Sequence, residues 1–176
     1  PVNPLNVYGK TKLMGEKLVQ SIDGGLVLRT NIIGWKNKDN TSFAEWILKG
    51  LINNTKLNLF YDVYFSPLTV EELSLIIKKI ISNPIFGIYH CASSDIISKY
   101  DFGKKMSEIF QLSSININKV SVNTMKFKAT RPKNMALDIS KINSDLVYDH
   151  SNVQDSIKLI KNQYDKNLSK YQKNKD

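Results

Sequence analysis

The 176-residue chain holds one cysteine, two histidines and, among its 25 basic residues, two arginines. A single thiol, Cys91, excludes an internal disulfide, and its place in the apolar run Ile88 to Ala92 makes it a buried, inert side chain. With that one thiol, His90 and His150 cannot assemble a usual structural zinc site, so no metal is expected. His90, inside a strand, is expected to be a packed residue and not a base. No apolar run approaches the roughly eighteen residues of a membrane helix, and the first residues lack the regions of a signal peptide. A cytoplasmic protein with no membrane partner is expected, and the Asn-x-Ser/Thr triplets at Asn40, Asn53 and Asn167 are chance matches. Of eight glycines, none form the Gly-x-x-Gly-x-x-Gly turn between strand and helix that lays a pyrophosphate on backbone amides. Gly24-Gly25 is a turn before a strand.

Hydrophobic residues at 41% and charged residues at 23% are near globular averages, enough to bury a core in one domain or a piece of one. The net charge of +9 raises nucleic acid as a partner. The lysines form no stripe, however. Their densest stretch, Lys158 to Lys175, alternates with Asp155 and Asp165 around an apolar face of Val153, Ile157, Ile160, Tyr164, Leu168 and Tyr171. Steps of three and four make this an amphipathic terminal helix with solvated lysines, and no nucleic-acid partner is expected.

Alternating elements precede that tail. A helix from about Tyr8 to Ser21 leads into a strand at Leu26 to Thr30, then a loop with Trp35, then a helix near Ser42 to Ile52 opened by a Ser42/Glu45 capping box. A strand at Leu57 to Tyr61 is followed by a Thr69/Glu72 capping box and a helix to Ser82, with Val70, Leu73, Ile76, Ile77 and Ile80 as its core face. A strand at Gly87 to Cys91, a helix near Lys99 to Gln111, a strand near Ile115 to Val122 and a short helix at Ser140 to Leu146 complete an α/β pattern. The aromatics Phe60, Tyr61, Tyr64 and Phe65 suit core or wall, with base stacking as the alternative.

Tyr8 and Lys12 stand as Tyr-x-x-x-Lys, one helical turn apart, so a phenol and an ammonium share a face. A free tyrosine, with a pKa of about 10, is too weak an acid to protonate a carbonyl near neutrality; a cation held close brings it toward the working range. A chance pairing in a lysine-rich chain is the competing explanation, and the surroundings decide between them.

Those surroundings, Pro4-Leu5-Asn6-Val7-Tyr8-Gly9-Lys10-Thr11-Lys12-Leu13-Met14-Gly15-Glu16-Lys17 with Leu26-Val27-Leu28-Arg29-Thr30 after them, resemble the extended short-chain dehydrogenase/reductase superfamily. The likeness is greatest to its dTDP-4-dehydrorhamnose reductase-like, sugar-nucleotide branch. Phe43 with Trp46, the segment Asp62 to Leu73, Gly87-Ile88-Tyr89-His90, Ser98-Lys99-Tyr100-Asp101-Phe102 and Ala129-Thr130-Arg131-Pro132-Lys133-Asn134-Met135-Ala136-Leu137-Asp138 follow in the family's order over roughly residues 1 to 145. The resemblance implies the C-terminal portion of a Rossmann-type α/β enzyme with its smaller substrate-binding lobe, the glycine loop lying upstream. In that frame residues 1–34 end the dinucleotide-binding domain, 35–150 mix Rossmann and substrate-binding elements, and 151–176 form the terminal helix and basic tail.

What the resemblance implies for chemistry is hydride transfer between NADP or NAD and a keto or hydroxy carbon of a nucleotide-linked sugar, in cell-surface polysaccharide biosynthesis. Tyr8 exchanges the proton and also contacts the cofactor, Lys12 stabilises the phenolate and bonds the nicotinamide ribose, and Thr30 and Asn31 pass the nicotinamide. The family usually continues with an aromatic residue where this chain has Asn31-Ile32-Ile33-Gly34, which leaves the sugar open. Arginine is rare here, so its rigid fork is expected to matter where it occurs. Arg29 suits a structural pair with Glu16, whereas Arg131, with Lys126, Lys128 and Lys133 around Pro132, suits a substrate diphosphate; a solvated basic loop is the alternative. An epimerase or dehydratase of the same superfamily and a noncatalytic sugar-nucleotide binder also stay open, as does a homodimer.

Overall fold

The computed structural model describes residues 2–35 and 41–173, with side chains to residue 166. The Asn40 triplet and the expected tail contacts of Leu168 and Tyr171 fall outside these limits. Helix α1 (Val7–Gln20) begins where Asn6, in extended backbone, accepts the N–H of Gly9 at 2.9 Å, and it ends ahead of the Gly24-Gly25 turn. Gly24 has φ +72°, and a Cβ on Gly25 would lie 2.0 Å from the Val19 carbonyl oxygen, so the chain reverses here because both residues lack a side chain.

Strand β1 (Leu26–Thr30) follows, then β2 (Ile32–Ile33), α2 (Phe43–Ile52), β3 (Leu57–Phe60), β4 (Tyr64–Phe65), β5 (Leu68–Thr69) and α3 (Val70–Ser82). The chain continues through β6 (Gly87–Cys91), β7 (Ile97–Ser98), α4 (Lys99–Phe110), β8 (Ile117–Val120), β9 (Asn134–Met135), α5 (Ser140–Asp145) and α6 (Val153–Lys173). β1 and β6 are parallel, in register from Leu26 opposite Gly87 to Thr30 opposite Cys91. β2 runs parallel to β5 and β3 parallel to β8, while β4 lies between antiparallel β7 and parallel β9. The other edge of β1 carries no strand among the described residues.

Two cores hold these elements. The larger gathers Ile47, Leu48, Leu57, Leu59, Phe65, Phe102, Met106 and the α6 residues Val153, Ile157 and Ile160, all nearly inaccessible. Each such side chain contributes roughly 1.5–3 kcal/mol by leaving water. The smaller joins α3, β6 and α5 through Ile76, Ile80, Tyr89, Cys91, Ile142 and Leu146. Burial pushes the Cys91 thiol up to about 11, in keeping with an inert side chain.

Both capping boxes form, at Ser42/Glu45 and at Thr69/Glu72. The second alters the expected face of α3. Glu72 is buried because its carboxylate caps the Thr69 N–H at 2.6 Å and accepts the Ser156 hydroxyl at 3.0 and 2.9 Å. With Glu72, Ile76 and Ile80 turned inward, Val70 and Ile77 flank that row and remain 57% and 41% exposed. His90 also departs from expectation: it is partly exposed, its Nδ1 lies 3.0 Å from the Asp138 carbonyl oxygen, and it lines a small cavity with Ile88, Asp138 and Lys141. The aromatic run divides, with Phe65 buried, Tyr61 and Tyr64 exposed, and Phe60 edge-on to Phe127.

Candidate functional site

α1 buries none of its side chains fully, and its outer face presents Val7, Met14 and Leu18 to solvent. What ties it to β1 is a fork. Arg29 donates through Nε to Glu16 Oε1 at 2.9 Å and through a terminal nitrogen to Oε2 at 2.6 Å. The hydrogen bonds from Arg29 hold the Glu16 carboxyl below its ordinary value, against the upward push of burial, and raise the guanidinium in turn. The pair expected from residue chemistry is therefore present. Glu16, one turn beyond Lys12 on the helix, is thus paired with Arg29.

Between α1 and β1 lies a cleft of ≈ 810 Å³ lined by Tyr8, Thr11, Lys12, Gly15, Glu16, the whole of β1 and Ile32. Tyr8 is 72% exposed on its wall, and the Lys12 ammonium lies 5.8 Å from the centre of the Tyr8 ring. Phenol and ammonium thus share one side of the helix and face one cavity. Thr30 closes the strand at the same cleft, and its hydroxyl is buried without a hydrogen-bond partner among the described residues. Asn31 is not brought there. Its side-chain oxygen accepts the Ser66 N–H at 3.3 Å and its carbonyl accepts that of Leu68 at 3.0 Å, fastening the end of β1 to the start of β5.

Arg131 and Lys133 line a second hollow of ≈ 350 Å³ with Phe127, Lys128 and Thr130. They are not equivalent. The Lys133 ammonium lies 3.5 Å from Asp62, whereas the Arg131 guanidinium sits 5.4 Å over the Phe127 ring with no carboxylate partner among the described residues. Asp62, to which the sequence reading gave no role, organises this loop by accepting Ser121 Oγ at 2.7 Å and the Val122 N–H at 2.8 Å. Burial pushes the Asp62 carboxyl up, but those bonds and Lys133 outweigh it and hold the group low. Asn6 is a second residue without an expected role. Its place just before an apolar-periodic run marks a cap, but its reach to the backbone of Thr130 had no sequence signal. Among the described residues no group of three or more His, Cys, Asp or Glu could hold a metal ion, and no helix is long and apolar enough to cross a membrane.

Comparison with known proteins places this arrangement. A probable low-salt glycan biosynthesis reductase of Haloferax volcanii is 23% identical over 158 residues, covering 88% of this chain and 53% of that protein. Methionine adenosyltransferase 2 subunit beta of Xenopus laevis is 32% identical over 148 residues, covering 80% of this chain and 44% of its own length. The chain spans about half the length of these curated relatives. In fold it is similar to the crystal structure of dTDP-4-dehydrorhamnose reductase from Bacillus anthracis in complex with NADP, with a TM-score of 0.82 at 21% identity over 92% of this chain and 57% of that one. The mixed α/β fold is shared with the matching part of that structure and of a dTDP-4-dehydrorhamnose reductase from Clostridium acetobutylicum, at a TM-score of 0.82 and 22% identity over 94% of this chain and 58% of that one. Residues 1–166 match the RmlD substrate binding domain, and the chain belongs to that family.

Proposed function

We propose that this chain is the proton-donor and substrate-binding part of an NAD(P)H-dependent reductase of a nucleotide-linked keto sugar, at work in the cytoplasm in cell-surface polysaccharide biosynthesis. The observation that carries the reading is Tyr8 with Lys12 on one wall of a cleft that Thr30 also lines, its hydroxyl buried without a hydrogen-bond partner among the described residues. This cleft suits a nicotinamide riboside, whose hydroxyls and carboxamide need polar side chains beside them. The pyrophosphate cradle is assigned to sequence outside these 176 residues.

A nicotinamide bound there supplies the hydride. Tyr8 gives its phenolic proton to the carbonyl oxygen as the carbon is reduced, so that C=O becomes CH–OH and a phenolate remains. Lys12 stabilises that phenolate by charge and donates to the ribose. Glu16 and Arg29 hold the helix against the strand and keep both groups aimed into the cleft. Arg131, whose fork meets no carboxylate among the described residues, takes the diphosphate of the sugar nucleotide, and Lys133 assists from its place beside Asp62. Residues 1–34 then end the dinucleotide-binding domain, 35–150 mix Rossmann and substrate-binding elements, and the terminal amphipathic helix and basic tail begin at residue 151.

A second reading is a noncatalytic sugar-nucleotide binder, and the 32% identity to a protein named as a subunit, methionine adenosyltransferase 2 subunit beta, keeps it open. Incubating the whole protein with NADPH or NADH and a nucleotide-linked 4-keto sugar separates the cases. A reductase consumes the cofactor stoichiometrically with sugar. A superfamily epimerase or dehydratase retains bound NAD(H) with no net consumption, and a binding subunit changes the sugar not at all.

A further inference from the structure

One short side chain connects the two halves of the site. Asn6 Oδ1 accepts the Gly9 N–H at 2.9 Å and starts the helix that carries Tyr8 two residues later. Asn6 Nδ2 donates to the Thr130 carbonyl, also at 2.9 Å, next to Arg131 and 124 residues away in the chain. A primary amide offers an acceptor and a donor together; a carboxylate has no hydrogen to give, and a serine hydroxyl is too short to serve both partners.

The bond matters because the loop has few others. Asp62 pins its base at Ser121 and Val122, and the Lys133 carbonyl accepts the Tyr64 N–H at 2.7 Å at its exit. From Lys126 to Pro132, the bond from Asn6 is the one hydrogen bond to another element among the described residues. We infer that Asn6 is a positioning residue that sets the Arg131 loop against the proton-donor helix, fixing the distance between diphosphate grip and proton donor. The inference rests on the proposed assignment of Arg131 to the substrate. It makes the separation of Tyr8 from Arg131 depend on a two-ended amide: a sugar nucleotide gripped at its diphosphate then presents its keto carbon to Tyr8, and slack in the loop misplaces it.

The test is Asn6→Ser in the whole protein, since serine caps a helix about as well as asparagine but cannot also reach Thr130. Amides 128–131 should exchange hydrogen faster while those of α1 stay as in the wild type. The KM for the sugar nucleotide should rise about tenfold, the worth of one good hydrogen bond, with the KM for NAD(P)H unchanged. In an Arg131→Ala background Asn6→Ser should add nothing, because it acts through that residue. Unchanged exchange at 128–131, or a KM loss that adds to that of Arg131→Ala, overturns the inference. If the wild-type protein shows no turnover, the reductase reading fails, and the exchange comparison still decides whether Asn6 holds the loop.

Discussion

Lys99 opens α4 with its ammonium 3.3 Å from the centre of the Phe65 ring and 4.1 Å from that of Phe43. Among the described residues no carboxylate pairs with it, and a helix N-terminus is an unfavourable place for a cation. Burial lowers its pKa from 10.5 to about 7. In the unfolded chain the same lysine stays protonated to about pH 10.4. Between these values the unfolded state binds more protons, so stability rises with pH across that window, and below pH 7 the folded state carries the whole cost. At about 1.4 kcal/mol per tenfold, a fall from 10.5 to about 7 sets a ceiling of roughly 5 kcal/mol. Attraction of the ammonium to aromatic faces offsets about 2 kcal/mol of it. Lys99→Met keeps the stem and removes the charge. It should be more stable than the wild type by about 3 kcal/mol at pH 6, with the gap closing toward pH 10. Urea unfolding of both proteins at pH 6, 8 and 10 measures this. A difference that does not change with pH, or a Met variant less stable at pH 6, would refute the reasoning.

Glu16→Gln should loosen α1 by about 1 kcal/mol at pH 7 after allowance for solvent screening. Because the Glu16 carboxyl is held below its ordinary value, that contribution is full above about pH 4.5 and is lost as pH falls through the lowered value. The difference between the two proteins in urea should therefore be largest near pH 7 and shrink steadily as the pH is lowered below about 4.5. Asp62→Ala removes the acceptor of Ser121 and Val122 and the partner of Lys133, so trypsin should cut faster after Lys126 and Lys128. Equal cleavage rates would show that Asp62 does not anchor the loop. Ile157→Ala, at a side chain with no solvent exposure, should cost about 2–5 kcal/mol through the cavity it leaves, read from the urea midpoint.

The parts of this fold that sequence made legible are those decided locally. α1, β1, α2, α3, β6 and α4 lie within a residue or two of where periodicity and capping place them, and the Ser42/Glu45 and Thr69/Glu72 boxes form as their spacing requires. The Arg29–Glu16 fork was legible because a rare arginine ends a strand beside a helix with a carboxylate at the matching turn. The parts that stayed hidden depend on distant chain. β2, β4, β5, β7 and β9 are two-residue strands that exist only through their partners, too short for any periodicity. Glu72 is inside because Ser156, 84 residues on, receives it, and Val70 and Ile77 stay outside as a result. Asn31 reads as a residue at the end of a strand near the cleft, but Ser66 and Leu68 hold it. Tyr8 and Lys12 were legible as a pair only with the residues around them; the cleft that they share with Thr30 required the fold.

The proposed reduction turns on Tyr8 delivering a proton from its phenol. Single-turnover reduction of a nucleotide-linked keto sugar by the whole protein carrying Tyr8→Phe, with NAD(P)H affinity measured on the same sample, tests it. The chemical step should slow by roughly 10²-fold or more, with the fold intact and the loss far exceeding any change in cofactor affinity. A variant that reduces the sugar at the wild-type rate would contradict it.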